Sequence, residues 1–164
     1  MIDKSDFLSI VEANKRSILG VCRFYASLNS TLSVDDLFQE IVLNLWKSYG
    51  KYVKTPDCKT STWIYRVAIN VSISQIRKIK NLRFTPIDIK EIHSCSIEEH
   101  DENKEYLYHL INLLEEEDQE IVFLYLKDKP YQEIANILGI SVSNVGTKIQ
   151  RIKLKLKNLY NEEL

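Results

Sequence analysis

Apolar residues recur with a helical period along most of this chain, and alternating strand-like runs are rare. The spacing predicts a first helix over about residues 6–28 and a second helix after Ser33, whose hydroxyl can cap it. A third helix is predicted from about residue 60 to residue 80. Its apolar stripe, which we expect to pack against the first two helices, comprises Ile64, Val67, Ala68, Val71 and Ile79.

The second half of the chain follows an acidic segment. Residues 84–103 have weak periodicity and predict a flexible linker. Helices are expected to resume at about 104–114 and 118–126, and Pro130 precedes two short predicted helices joined by a tight turn at Gly139. The pattern therefore predicts an all-α protein of two small helical domains, a three-helix domain at 1–83 and a helix-turn-helix domain at 104–164, joined by the linker.

The segment Tyr131–Ile152 carries the residue types that a helix-turn-helix requires. Ala135 is small where two helices cross, Gly139 tolerates the positive φ of a turn, and Val145 is apolar where the corner is sealed. Ser141 is placed to cap the second helix of the pair. A plain helical hairpin would not need all of these residues, so the pattern favours DNA binding.

The second helix of this pair has two different sides. Val145, Ile149 and Ile152 share the side expected to be buried, and the other side carries groups that suit base edges and phosphates. The predicted DNA contacts are Ser143, Thr147, Lys148, Gln150, Arg151 and Lys155. Gly146 interrupts this helix at a cost of about 1 kcal/mol relative to alanine. We interpret its missing side chain as allowing close approach of the backbone to DNA.

Polar side chains also mark the second and third helices. Asp36, Gln39 and Glu40 share one face of the second helix, which is either a solvated surface or a docking site for a basic partner. In the third helix, a stripe opposite the apolar one combines aromatic, amide and cationic groups, which together suit unstacked bases and a single-stranded backbone. This stripe comprises Trp63, Arg66, Asn70 and Arg77, of which Trp63 taken alone fits a core position better.

Charge is distributed unevenly behind a formal net charge of −1. Residues 1–85 carry a net charge of +6, residues 86–118 carry −9, and residues 119–164 carry +2. Basic segments of this kind are typical of nucleic-acid-binding proteins, although lysine-rich helix faces can also serve only for solubility.

Composition narrows the class of protein further. The chain has 164 residues, 45% hydrophobic and 27% charged, as in ordinary globular proteins. Its apolar runs are too short to cross a bilayer, and its N-terminus lacks the pattern of a signal peptide. Three scattered cysteines indicate neither a disulfide framework nor a metal knuckle. We therefore expect a cytoplasmic protein without membrane insertion.

Two blocks of this sequence resemble a known family. DLFQE, Trp46 and STWIYRVAIN occur in the first half, and YQEIANILGIS followed by RIK occurs in the second, with the acidic segment between them. In this order and spacing they resemble RNA polymerase sigma factors of the sigma-70 family, and more narrowly the extracytoplasmic-function (ECF) group, which keeps only regions 2 and 4. The resemblance covers about residues 6–82 and 105–158.

The resemblance implies an initiation subunit that is not an enzyme and needs no cofactor or metal. Its partners would be core RNA polymerase and promoter DNA, and the resemblance also allows an anti-sigma factor. Contacts with the β′ clamp helices, beside the β subunit, would come from Asp36, Leu37, Gln39 and Glu40.

The resemblance also implies two sites for promoter DNA. Recognition and melting of the −10 element, with the loop at 50–59 taking an extruded base, would use Tyr52, Lys54, Trp63, Arg66, Asn70 and Arg77. The −35 reader would be the helix that begins near Val142. Gly146 departs from the long polar or basic residue of many relatives.

Two other classes of protein stay open at the level of sequence. A transcriptional regulator could use the helix-turn-helix to bind operator DNA without polymerase. An enzyme could hold a metal at His93, Cys95 and His100, although no neighbouring motif supports such a site. Promoter-specific initiation that depends on core polymerase would distinguish the sigma factor from both.

Overall fold

The structure, a computed structural model, describes residues 4–52, 59–82 and 101–163. Every regular element within these residues is an α-helix, so the prediction of an all-α fold is confirmed. The helices form two compact units, α1–α3 and α4–α7. In chain order they are α1 Lys4–Leu28, α2 Val34–Tyr49, α3 Thr60–Leu82, α4 Glu102–Asn112, α5 Glu116–Leu126, α6 Tyr131–Leu138 and α7 Val142–Glu163.

The first unit is a bundle in which each helix packs against the other two. Ser33 begins α2 as predicted, because its Oγ accepts a hydrogen bond from the backbone N–H of Asp36 at 3.4 Å. The core contains fully buried side chains from all three helices, including Ile18, Val21, Ile41, Leu45, Ile64 and Ala68. This packing fixes which sides of α2 and α3 remain accessible.

The buried side of α3 is wider than the predicted stripe. Ile64 and Ala68 are buried as expected, but Val67, Val71 and Ile79 are only half-buried. Because α3 contacts both α1 and α2, it buries a broad face instead of a single row. The additional buried apolar side chains are Tyr65, Ile69, Ile73 and Ile76.

The second unit begins with a corner between α4 and α5. The Gln119 side chain is buried and its Nε2 donates to the backbone carbonyls of Ile111 at 3.3 Å and Leu114 at 3.0 Å. Ile111 lies in the last turn of α4 and Leu114 follows its C-cap, so the amide supplies a donor where the helix runs out of its own. One buried amide therefore fixes the direction in which α5 leaves α4.

The helix-turn-helix forms at the predicted turn. Gly139 has φ +69°, and the Ser141 Oγ accepts from the backbone N–H of Asn144 at 3.1 Å, which caps α7. The prediction of two short helices is wrong for α7, which has 22 residues. Its far end contacts α4, where His109 Nε2 lies 3.1 Å from Glu163 Oε1 and lowers the pKa of that carboxyl group.

Several sequence predictions fall outside the described residues. They include most of the proposed linker, the basic residue Lys54, and the metal candidates His93, Cys95 and His100. Among the helices that are described, none combines the length and apolar character needed to span a membrane.

Candidate functional site

The polar face of α2 is accessible at its N-terminal half. Asp36 and Gln39 are exposed, and Glu40 is half-buried. The Asn44 side-chain amide donates to Glu40 Oε1 at 3.1 Å and thereby orients that carboxylate. Leu37 lies in the core with 2% of its surface exposed, so its side chain is not on the accessible face from which the contact with polymerase is predicted. The leucine instead anchors the helix beneath the polar face.

An apolar groove of about 430 Å³ adjoins this face. Its exposed rim includes Leu8, Leu43 and Trp46, the last with 39% of its surface exposed. This groove was not predicted from the sequence. The i, i+4, i+8 spacing of Phe38, Val42 and Trp46 was the signal that could have found it. The full lining is Lys4, Phe7, Leu8, Phe38, Gln39, Val42, Leu43 and Trp46.

The predicted stripe on α3 is accessible along its length. Arg66, Asn70 and Arg77 are exposed, and Trp63 is half-buried. The rings of Tyr52 and Trp63 stack with centroids 4.4 Å apart, and the Tyr52 hydroxyl lies 3.1 Å from Thr60 Oγ1. Trp63 therefore covers one face of Tyr52, which is also among the residues predicted for recognition of the −10 element.

Aromatic side chains connect the groove on α2 to this stripe. The Phe7 ring lies 5.0 Å from Trp46 and 5.3 Å from Tyr49, measured between centroids. Tyr49 lies 6.3 Å from Trp63, which stacks on Tyr52. Successive contacts of this kind add to the burial energy of each ring and hold the ends of α1, α2 and α3 together.

The outer side of α7 has the predicted composition. Ser143, Thr147 and Gln150 are exposed, whereas Val145, Ile149 and Ile152 are buried. The Thr147 hydroxyl donates to the Ser143 carbonyl at 3.1 Å. Lys155 is half-buried at the edge of this side.

Two cations of α7 contact acids at the start of α5. Arg151 Nη2 donates to Asp118 Oδ1 at 2.7 Å, and Lys148 Nζ donates to Glu117 Oε2 at 3.1 Å. Sequence reasoning placed Arg151 on an open DNA-facing side and missed both pairs, because each joins residues more than 30 positions apart. The acidic first turn of α5 was the available signal.

Gly146 faces α6 instead of the outer side of α7. A Cβ added at this position would lie 3.7 Å from the Tyr131 ring, an ordinary contact distance. The interpretation that Gly146 lets the backbone approach DNA is therefore not supported by its position. Lys153, on the same edge of the helix, donates to the Tyr125 hydroxyl at 2.9 Å, and this bond raises the pKa of Lys153.

Comparison with known families accounts for both units. Residues 10–81 match sigma-70 region 2, and residues 104–156 match sigma-70 region 4. A helix-turn-helix regulator acting without polymerase is not favoured, because it would not explain a region 2 match across α1–α3.

Individual relatives agree with this assignment. The chain is 25% identical to the ECF RNA polymerase sigma factor SigW of Bacillus subtilis, covering 91% of this chain and 86% of SigW. It is 28% identical to the ECF sigma factor SigM of the same organism, covering 94% and 96%.

Solved structures share the fold. CnrH, solved with the cytosolic domain of CnrY, matches with a TM-score of 0.65 at 18% identity, covering 99% of this chain and 92% of that one. The sigma factor RpoE, solved with the anti-sigma factor NepR from Bartonella quintana, matches with a TM-score of 0.62 at 19% identity, covering 96% of both chains. The chain belongs to the sigma-70 family, in the ECF group of alternative sigma factors that direct RNA polymerase to specific promoters.

Proposed function

We propose that the three accessible surfaces divide the work of initiation among α2, α3 and α7. The α2 surface docks on core polymerase, the α3 stripe holds the melted −10 strand, and α7 reads the −35 element. The observation that carries this proposal is the exposed stripe of Arg66, Asn70 and Arg77, whose helix is fixed by burial of its opposite side.

Docking on core polymerase is supported by two neighbouring features of α2. Asp36 and Gln39 supply exposed acceptors for a basic partner, and Gln39 also lines the apolar groove that Trp46 borders. An interface that combines a buried apolar contact with a polar rim is typical of specific protein association. On the basis of the family resemblance, we propose that the partner surface is the β′ clamp helices, beside the β subunit.

Capture of the melted strand is supported by the chemistry of the α3 stripe. Opening a duplex costs about 1.4 kcal/mol of stacking per base-pair step. Cations and an amide on one exposed side can return part of this energy through backbone contacts and base edges. Arg66 and Asn70 stand one helical turn apart, which suits a single flipped nucleotide.

The docking surface is tested with Glu40→Lys. Reversing this charge places a cation against a basic partner, so we expect core polymerase to bind at least ten-fold more weakly in a fluorescence-anisotropy titration. Glu162→Lys makes the same change at an exposed position of α7 and is expected to bind core polymerase normally. Equal affinities for the two folded variants would contradict docking through α2.

The melting surface is tested with Asn70→Ala in holoenzyme. We expect reduced permanganate reactivity across the −10 element on closed promoter DNA, and recovery on a pre-melted template. Asn81→Ala makes the same chemical change three turns along α3 and is expected to open promoters normally. Wild-type opening by the Asn70 variant would show that Asn70 is not part of this site.

An anti-sigma factor is a further partner in our proposal. Both structural neighbours were solved in complex with a second protein, named for RpoE as an anti-sigma factor. The proposed action on core polymerase and promoter DNA would take place in the cytoplasm and would require no catalysis by the chain itself.

A further inference from the structure

Three consecutive side chains at the start of α5 fix the neighbouring helices. Gln119 holds the end of α4, Asp118 holds Arg151, and Glu117 holds Lys148. The first turn of α5 is therefore the point at which α7 is fixed in rotation and in register by charged groups, in addition to its apolar core.

The two ion pairs differ in burial. The Asp118 side chain is 3% exposed and the Arg151 side chain 58%, whereas Glu117 is 78% exposed. A carboxylate removed from water is strongly destabilising without a partner, so Asp118 holds Arg151 in place. An exposed carboxylate loses little when its partner leaves, so Glu117 constrains Lys148 weakly.

The bond to Asp118 leaves much of the guanidinium available. It uses Nη2 alone, at 2.7 Å, while a guanidinium carries five N–H donors in a rigid plane. With Nη2 anchored on a buried carboxylate, the remaining donors are restricted to a narrower range of directions than in an unanchored side chain. Reading a base edge depends on such a restriction, and binding a phosphate does not.

We propose that Asp118 is a positioning residue for −35 recognition, which aims the guanidinium of Arg151 at a base edge and so sets sequence preference. The proposal rests on the proposed function of α7 as the −35 reader. In this proposal the buried carboxylate of Asp118 acts on DNA recognition only through Arg151 and does not itself contact DNA. A role for Asp118 in screening the positive charge of α7 would instead change affinity for all sequences alike.

The test compares Asp118→Asn with Glu117→Gln. Each variant exchanges one carboxylate for its amide at the same end of α5, so both alter the charge near DNA equally. Full-length variants are assembled with core polymerase and transcribe a pool of promoters randomised in the −35 element, and sequencing the transcripts gives the preference at each base. We expect Asp118→Asn to lose about ten-fold discrimination at one or two positions, and Glu117→Gln to keep the wild-type pattern.

Arg151→Ala provides the reference pattern. The proposal requires Asp118→Asn to relax the same positions as Arg151→Ala, and the double variant to relax them no further. Retention of wild-type preference by folded Asp118→Asn, while Arg151→Ala relaxes it, would overturn the positioning role and leave the proposed function intact. Wild-type preference in Arg151→Ala and in Thr147→Ala would instead contradict reading of the −35 element by α7.

Arg151→Lys covers the case in which Asp118→Asn does not fold. A lysine keeps the charge and can pair with the buried carboxylate, but its single nitrogen cannot hold a planar direction toward a base. We expect this variant to fold, as judged by circular dichroism, and to relax the same positions as Arg151→Ala. Full wild-type preference in Arg151→Lys would overturn the proposal.

Discussion

At the scale of single residues, the two glycines of the helix-turn-helix show how differently one residue type can be used. Gly139 takes a left-handed backbone with φ +69°, whereas Gly146 stands inside α7 with room for a Cβ beside Tyr131. A glycine inside a helix costs about 1 kcal/mol relative to alanine, and a left-handed alanine is strained. The positive φ predicted for Gly139 is confirmed, whereas the backbone of Gly146 has no conformation that requires glycine.

Gly146→Ala is expected to stabilise the second unit by about 1 kcal/mol and to raise its melting temperature by about 4 °C or more. Thermal unfolding followed by circular dichroism measures this change. Gly139→Ala is the matched control and is expected to lower the melting temperature, because alanine resists positive φ. A lower melting temperature for Gly146→Ala would mean that the Tyr131 ring cannot accept the added methyl group.

Cys22 is a second residue whose behaviour follows from its surroundings. Burial in the α1–α3 core raises the pKa of its thiol to about 12, so the thiol stays protonated at neutral pH. In a variant with Cys58→Ser and Cys95→Ser, we expect Cys22 to react with a thiol reagent only as fast as the first unit unfolds. Rapid labelling of that variant in native buffer would contradict the observed burial.

At the scale of elements, helix ends were predictable, whereas side-chain contacts between helices were not. Ser33, Gly139 and Ser141 act within four residues of their own positions, so local sequence predicts them. The pair of Asp118 with Arg151 spans 33 positions and depends on how α5 crosses α7. The exposure of Trp46 at the rim of the groove was not predictable for the same reason, since burial is decided by the helices that pack against α2.

The corner between α4 and α5 provides a test at this scale. Gln119→Ala removes the amide that donates to the α4 carbonyls and leaves those acceptors without that donor, so we expect a loss of about 1–3 kcal/mol in unfolding free energy. Urea denaturation of the full chain measures it. Gln132→Ala removes an exposed glutamine of α6 and is expected to change stability by less than about 0.5 kcal/mol.

At the scale of the whole molecule, the acidic segment begins where the helical pattern of the sequence weakens. The prediction of a linker at 84–103 rests on its acidity and weak periodicity, and the net charge of residues 86–118 is −9. A protease that cleaves after glutamate has sites there at Glu91, Glu98 and Glu99. We expect native protein to be cut first at these positions, leaving two helical fragments.

The same digestion in urea is the control. Every glutamate is accessible in the unfolded chain, so cleavage should no longer favour the sites in the linker. Early native cleavage at Glu40 or Glu120, each within a helix of the structure, would contradict the predicted boundaries.

The aromatic contacts that join α2 to α3 have a practical consequence for observing initiation. The chain has two tryptophans, Trp46 at the rim of the groove and Trp63 stacked on Tyr52, and both belong to the first unit. Biosynthetic incorporation of fluorotryptophan would therefore give two fluorine NMR signals, against a polymerase and a promoter that contain no fluorine. The Trp46 signal would report docking and the Trp63 signal would report strand capture. The order in which the two signals shift as polymerase and promoter are added would show which event comes first.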